Sequence, residues 1–273
     1  MQEGIVWEAI LSYQLEDLLY LMTRLRHPQH GCPWDIAQDF HSIVPHTLEE
    51  AYEVADAIER NDMAQLPSEL GDLLFQVVYY SQLAQEEERF NFYDVINTLM
   101  AKMIRRHPHV FPEGNLYAEH GVTASQAEIN EQWEAIKATE KSEAPSPLDD
   151  IPLNLPGLTR AYKIQKKASR LGFDWQQLAP VVTKLDEEIA ELKEAITHGA
   201  HEEIMHELGD VLFCAVNVAR HLHIDPEQAI RRANQRFSQR FNYVAQQVEA
   251  RGKTIKNTDP EQLDLFWNQA KQQ

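Results

Sequence analysis

The sequence predicts an all-α protein made of two tandem repeats of one helical-bundle module. Only 10 glycines occur among 273 residues. Long stretches without Gly or Pro carry apolar residues at helical spacing, and no run of alternating polar and apolar residues predicts a strand. One apolar stripe on a predicted helix consists of Val182, Leu185, Ile189, Leu192 and Ile196.

The internal repeat is the third observation behind this prediction. Each half contains EExxE followed by ExLGDxLF, and every matched carboxylate is displaced by the same 138 residues, as from Glu49 to Glu187. Two long copies indicate a duplicated domain rather than a solenoid. The carboxylates of the two copies are Glu49, Glu50, Glu53, Glu69 and Asp72, and Glu187, Glu188, Glu191, Glu207 and Asp210.

Proline marks the boundary between the repeats. A helix cannot run through the segment that contains Pro145, Pro147, Pro152 and Pro156 and ends at Gly157. We therefore predict an N-terminal helical module over residues 1–124, a helix and a Pro-rich linker over 125–157, and a C-terminal module over 158–273.

Charge and cysteine content exclude several classes of protein. The chain carries 25 Lys and Arg against 43 Asp and Glu, a formal net charge of −18, which argues against binding nucleic acid or anionic membranes. Cys32 and Cys214 are too few and too far apart for a disulfide framework or a thiolate zinc site. Acidic residues interrupt the N-terminal apolar segment, so neither a signal peptide nor a transmembrane span is predicted. We expect a cytoplasmic protein.

The spacing of the carboxylates predicts a metal site in each repeat. Helix positions i, i+3 and i+4 share one side, so the acidic groups lie together beside the apolar stripe. Like charges at this spacing oppose helix formation by roughly 0.2–0.5 kcal/mol per pair. A divalent cation removes this repulsion, and oxygen ligands favour Mg²⁺, with Mn²⁺ as a substitute. Gly71 and Gly209 each cost about 1 kcal/mol relative to Ala, which predicts a close approach of two helices there.

Other interpretations of the acidic repeats are weaker. A solvated helix face would explain a single EExxE, but a second acidic pair and the duplication favour metal binding. The chain has no GxxxxGK[ST] or GxGxxG motif for phosphate. A ferritin-like di-iron site needs two ExxH motifs, and only Glu203 to His206 supplies one. Gln65 and Ser68 stand at the equivalent positions, and most histidines are interpreted as ordinary surface residues.

EExxE followed by ExxD on two helices resembles the signature of the MazG-type all-α nucleoside triphosphate pyrophosphatases. The flanking segments 31–35 (GCPWD), 46–50 (HTLEE) and 106–111 (RHPHVF) are also similar to that family. The resemblance covers nearly the whole chain. It implies Mg²⁺-dependent hydrolysis of nucleoside triphosphates, including deoxy or aberrant nucleotides, to nucleoside monophosphate and pyrophosphate. It also implies a homodimer whose helical modules pack into bundles.

This chemistry assigns roles to the acidic residues. Metal ions activate a water for in-line attack on the α-phosphorus and stabilise the charge on the departing pyrophosphate. Glu187 or Glu188 is our candidate for the carboxylate that orients the water. Lys184 lies one turn before Glu188 and can reach the same site.

Further candidates for substrate binding lie later in the chain. Arg236 and Arg240 are four residues apart and suit a triphosphate, although the family pattern usually has Lys at the position of Arg236. Trp267 is a candidate for stacking on a base and Trp175 a weaker one, with a buried structural role as the alternative for both.

The cations favour the C-terminal module as the main catalyst. The residue corresponding to Lys184 in the first repeat is His46, which is largely neutral at pH 7, whereas Lys102 and Arg106 remain available there. The N-terminal module could be a second active site, a regulatory nucleotide site or a dimerisation scaffold. Two alternatives for the whole chain are a non-catalytic nucleotide-binding or protein-interaction module with structural metal sites, and a hydrolase of another pyrophosphate compound.

Overall fold

The computed structural model describes residues 12–119, 121, 125, 128–129, 132–133, 135–136 and 146–272. Within these residues the regular structure is helical and contains no strand, which confirms the all-α prediction. The chain divides into two compact units, Met1–Lys141 and Ser142–Gln273. The boundaries at 124/125 and 157/158 stay a prediction, and most of the predicted helix over 125–141 lies outside the described residues.

The N-terminal unit is built on two long helices that carry the first acidic repeat. Asp39 caps the first of them, because its Oδ1 accepts hydrogen bonds from the backbone amides of His41 and Ser42. Asn91 caps the last helix in the same way. The helices are α1 (Leu15–Leu25), α2 (Pro33–Ile36), α3 (Phe40–Glu59), α4 (Leu66–Glu86) and α5 (Phe92–Arg106).

The core of the N-terminal unit lies where α4 meets α1, α3 and α5. Its buried members are Met22, Ile43, Val78, Tyr79, Leu83 and Phe92. Burying an aliphatic or aromatic side chain of this size contributes roughly 1.5–3 kcal/mol. This packing fixes α3 against α4, so that the acidic side chains of both helices meet.

The C-terminal unit repeats this plan. Its first helix packs on the ExLGD helix, as α1 packs on α4, and the EExxE and ExLGD helices again lie side by side. Asp225 caps the fourth helix, and Pro226 occupies its first turn. The helices are α6 (Gly157–Arg170), α7 (Leu178–His198), α8 (His201–His221), α9 (Pro226–Glu249) and α10 (Pro260–Ala270).

Two sets of contacts hold the C-terminal unit together. The side chain of Gln165 on α6 donates a 2.8 Å hydrogen bond to the carbonyl of Phe213 on α8. Val244, Val248 and Phe266 form a separate cluster between α9 and α10. These contacts place α9 and α10 beside the pair of helices that carries the acidic residues.

The expectation of a close helix approach at Gly71 and Gly209 is wrong within this chain. A Cβ atom built on either residue meets nothing within 4 Å. The reason is that both glycines lie on exposed parts of their helices, so no neighbouring helix of the chain requires the small residue.

A search of the described helices finds none that combines the length and the apolar character needed to cross a membrane.

Candidate functional site

The acidic groups of the C-terminal unit converge from two neighbouring helices. Glu188 and Glu191 on α7 and Glu207 on α8 each place an oxygen within 4.8 Å of the others. Glu188 is buried. Desolvation raises the pKa of the Glu191 carboxyl, and the charge of Glu188 raises it further. The cluster therefore holds unfavourable negative charge that a cation would stabilise.

Lys184 pairs with the N-terminal end of this cluster. Its Nζ lies 2.9 Å from Oε1 of Glu188 and 3.1 Å from Oε1 of Glu187. Hydrogen bonds to Glu188 and Glu187 raise the pKa of Lys184, so its ammonium stays charged. The two glutamates differ in exposure, since the side chain of Glu188 is 8% exposed and that of Glu187 is 56% exposed.

A second group of ligand atoms shares Glu207 with the first. Nδ1 of His206 lies 3.5 Å from Oε1 of Glu207 and 3.2 Å from Oδ2 of Asp210, and the three residues meet the same 4.8 Å criterion. Sequence reasoning interpreted His206 as an ordinary surface residue. Its i, i+4 spacing to Asp210 is the signal that could have identified it. Ser68 occupies the equivalent position in the first repeat.

The N-terminal unit forms a comparable carboxylate cluster from Glu50, Glu53 and Glu69. Desolvation and the neighbouring charge of Asp72 raise the pKa of Glu50. Glu69 is buried and accepts a 2.6 Å hydrogen bond from the side-chain amide of Gln65. At the position of Lys184, this unit has His46, and its Nδ1 lies 3.8 Å from Oε2 of Glu49.

The donor atoms of both clusters fit a hard divalent cation. Each triad of glutamates offers carboxylate oxygens, the ligands that Mg²⁺ and Mn²⁺ prefer. Each triad also includes one buried carboxylate, Glu188 or Glu69, and a buried charge needs a compensating partner. Glu187, Glu49 and Asp72 lie outside the groups of converging ligand atoms in the described residues.

The arginines proposed for the triphosphate lie on α9, which packs against α6, α8 and α10. The guanidinium carbon of Arg240 stands 6.0 Å from the ring centroid of Trp267 on α10, within the range of a cation–π contact. Phe237 packs 5.3 Å from the same ring. Trp267 also lines an apolar cavity of about 260 Å³. Arg236 is exposed on the same helix.

Trp175 lies at the edge of the C-terminal acidic cluster. Its indole and the side chains of Thr183, Lys184 and Glu187 line an open groove of about 530 Å³. The indole is 43% exposed, so Trp175 is not a buried core residue. The structure thus places Trp175 and Lys184 together, and Arg240 with Trp267.

Comparison with known proteins agrees with this division of the chain. The model of the MazG nucleotide pyrophosphohydrolase domain matches residues 38–111 and residues 176–245. The two matches confirm the internal repeat, because each contains one EExxE and one ExLGD segment.

Similar proteins are found in several bacteria. A nucleoside triphosphate pyrophosphohydrolase of Escherichia coli is 47% identical over 266 residues, which are 95% of this chain and 98% of the relative. A nucleoside triphosphate pyrophosphohydrolase/pyrophosphatase MazG of Thermotoga maritima is 40% identical over 94% of this chain and 95% of its own. A nucleoside triphosphate pyrophosphohydrolase of Mycobacterium tuberculosis is 33% identical over 63% of this chain and 50% of its own.

Proposed function

The chain belongs to the MazG nucleotide pyrophosphohydrolase family, and we propose that it hydrolyses nucleoside triphosphates to nucleoside monophosphate and pyrophosphate. Membership makes it a hydrolase acting on nucleoside triphosphates. The observation that carries the proposed chemistry is the convergence of Glu188, Glu191 and Glu207 beside the ammonium of Lys184.

A divalent cation is part of this proposal, with Mg²⁺ as the physiological ion and Mn²⁺ as a substitute. Glu188, Glu191, Glu207 and Asp210 would hold it in the C-terminal unit. When bound, such an ion lowers the pKa of a water and neutralises charge on the phosphates. The raised pKa of Glu191 supports the assignment, because it reports crowded negative charge.

The protein side chains would supply positioning and charge. Glu188 is held in place by burial and by its contact with Lys184, so it can orient the attacking water towards the α-phosphorus. Glu187 is more exposed and is the second candidate for that role. Lys184 can also bind phosphate oxygens. Arg236 and Arg240 are proposed to bind the remaining phosphates, with Trp267 or Trp175 against the base.

We assign the main catalytic role to the C-terminal unit. Both units hold a triad of glutamates, but Lys184 in one corresponds to His46 in the other. The N-terminal cluster of Glu50, Glu53 and Glu69, with Glu49 and Asp72 beside it, is proposed as a second cation site with a regulatory or structural role. Lys102 and Arg106 would give that site its phosphate contacts.

A homodimer is also proposed. Large apolar side chains remain exposed on the two helices that carry each acidic repeat, and contiguous exposed apolar surface marks interaction sites. Gly209, which lines a cavity with Leu212 and Phe213, leaves space that a second copy could fill. The exposed residues include Leu48, Tyr52, Leu70 and Leu74 in one unit and Val182, Leu208, Leu212 and Phe213 in the other.

The net charge of −18 supports a small nucleotide as the ligand rather than a nucleic acid or an anionic membrane. A cytoplasmic location is the compartment in which such a substrate would be met, and it is part of the proposal.

The experiment that tests the proposal is hydrolysis of each nucleoside triphosphate with Mg²⁺ in ¹⁸O-labelled water. Attack at the α-phosphorus places the label in the nucleoside monophosphate, and pyrophosphate leaves unlabelled. Release of nucleoside diphosphate and phosphate, or label in pyrophosphate, would contradict the mechanism. Intact binding of Mg²⁺ and nucleotide without turnover would instead support a non-catalytic nucleotide-binding module.

A further inference from the structure

In each unit, an ion pair ties the ExLGD helix to the segment between the unit's first helix and its EExxE helix. In the C-terminal unit the pair joins Asp174, which follows α6, to Arg220 at the end of α8. In the N-terminal unit it joins Arg26, directly after α1, to Glu86 at the end of α4. The acidic partner lies on the loop in one unit and on the helix in the other, so the polarity of the pair is reversed.

The C-terminal pair belongs to a dense network. Nη1 of Arg220 donates to Oδ2 of Asp174 at 2.9 Å, and Nη2 donates to Oδ1. Asn217 accepts hydrogen bonds from the same guanidinium, and His221 Nε2 lies 3.2 Å from Oδ1. The Arg220 and Asp174 side chains are only 11% and 20% exposed. The hydrogen bonds from Arg220 lower the pKa of Asp174 to about 2, so the pair is charged at neutral pH.

This network is linked directly to Trp175. The backbone amide of Trp175 donates a 2.9 Å hydrogen bond to Oδ1 of Asp174, the same oxygen that contacts Arg220. One carboxylate therefore fixes both the loop and the backbone that carries the indole. Trp175 in turn lines the groove with Lys184 and Glu187.

The position of Lys184 gives the groove a direction. Lys184 contacts the buried Glu188 of the acidic cluster and also lines the groove. A ligand whose phosphates lie at the cluster and at Lys184 would extend its nucleoside end along the groove, towards Trp175. An indole held at 43% exposure offers a face for a flat, apolar group.

We propose that Asp174 and Arg220 are positioning residues for the nucleotide, which hold Trp175 where it contacts the nucleoside end of the ligand. The inference rests on the proposed function and goes beyond it, because neither residue carries a role in phosphate or cation binding. Loss of the ion pair should weaken binding of the whole nucleotide and leave the phosphate chemistry intact.

The test compares Asp174→Asn, Trp175→Ala and the double variant by steady-state kinetics with Mg²⁺. We expect each single change to raise KM at least tenfold and to change kcat less than threefold. The double variant should be no worse than Trp175→Ala, because Asp174 acts through Trp175. Calorimetric binding of a non-hydrolysable α,β-methylene nucleotide should weaken similarly, while binding of inorganic tripolyphosphate should not change.

Glu86→Gln is the matched control, because it breaks the corresponding ion pair in the N-terminal unit and should leave KM unchanged. Arg220→Lys keeps the charge but loses the paired hydrogen bonds, and it provides a second variant if Asp174→Asn unfolds. Additive effects in the double variant, a fall in kcat at constant KM, or equal loss of tripolyphosphate binding would overturn the proposal. Absence of pyrophosphate release by the wild type would overturn the proposed function, while the analogue still tests the positioning role.

Discussion

Nζ of Lys184 lies 2.9 Å from Oε1 of Glu188, a carboxylate whose side chain is only 8% exposed. This is the cation–carboxylate contact that distinguishes the C-terminal cluster from the N-terminal one, where His46 stands at the position of Lys184. The contact fixes the orientation of Glu188 and keeps a positive charge at the edge of the carboxylate cluster.

Substitution Lys184→Met should therefore lower kcat/KM by roughly tenfold to hundredfold, the range expected for a charge-assisted hydrogen bond of about 1.5–3 kcal/mol. Steady-state pyrophosphate release measures the effect. The matched change His46→Met in the other unit should alter kcat/KM less than threefold. Equal losses in both variants would contradict the distinction between the units.

Removal of the buried carboxylate should separate the two units more sharply. Glu188→Gln keeps the side-chain volume but removes the charge, so we expect a loss of at least two orders of magnitude in kcat, consistent with an essential positioned carboxylate. Glu50→Gln, 138 residues earlier, should retain most activity. The same contrast is expected between Asp210→Ala and Asp72→Ala. The reverse pattern would assign catalysis to the N-terminal unit.

The acidic clusters should make the stability of the metal-free protein depend on pH. The pKa values of Glu50, Glu53 and Glu191 are raised in the folded chain, with desolvation as the largest cause. Their favourable contribution is complete below the unfolded pKa and is lost as pH rises through the folded pKa. Melting temperatures should thus fall from about pH 5 to about pH 7, once contributions common to a Glu50→Gln, Glu191→Gln variant are subtracted.

Addition of Mg²⁺ should reverse that trend, because a ligand that binds the ionised folded state stabilises it. The increase in melting temperature should be larger at about pH 7 than at about pH 5, where protons compete for the carboxylates. An increase that is independent of pH would show that the ion binds elsewhere.

Asp174 should behave in the opposite way. Its pKa is lowered to about 2 by the hydrogen bonds from Arg220, so its contribution is present above the ordinary pKa and is lost as pH falls towards 2. A shift of this size corresponds to about 2 kcal/mol. Urea unfolding of Asp174→Asn at neutral pH should show a loss of this order, and the difference from the wild type should shrink in acid.

Local periodicity made much of the fold predictable. Helices and the duplication follow from residues close in sequence, and the spacing of Glu188, Glu191 and Glu207 already predicts that their side chains face a common site. The contact of Arg220 with Asp174 was not predictable, because the partners lie 46 residues apart and only tertiary packing brings them together. The role expected for Gly71 and Gly209 failed for the same reason, since sequence cannot show which helix face a neighbour covers.

The reversed ion pairs also bear on how two similar halves fold without exchanging helices. If α8 docked against the segment after α1, Arg220 would meet Arg26, and if α4 docked against the segment after α6, Glu86 would meet Asp174. Each mismatched pairing would bring like charges together in a partly buried place, which is strongly unfavourable. The two ion pairs therefore act as opposite labels that direct each helix to its own repeat, and they disfavour recombinants that exchange these segments between the repeats.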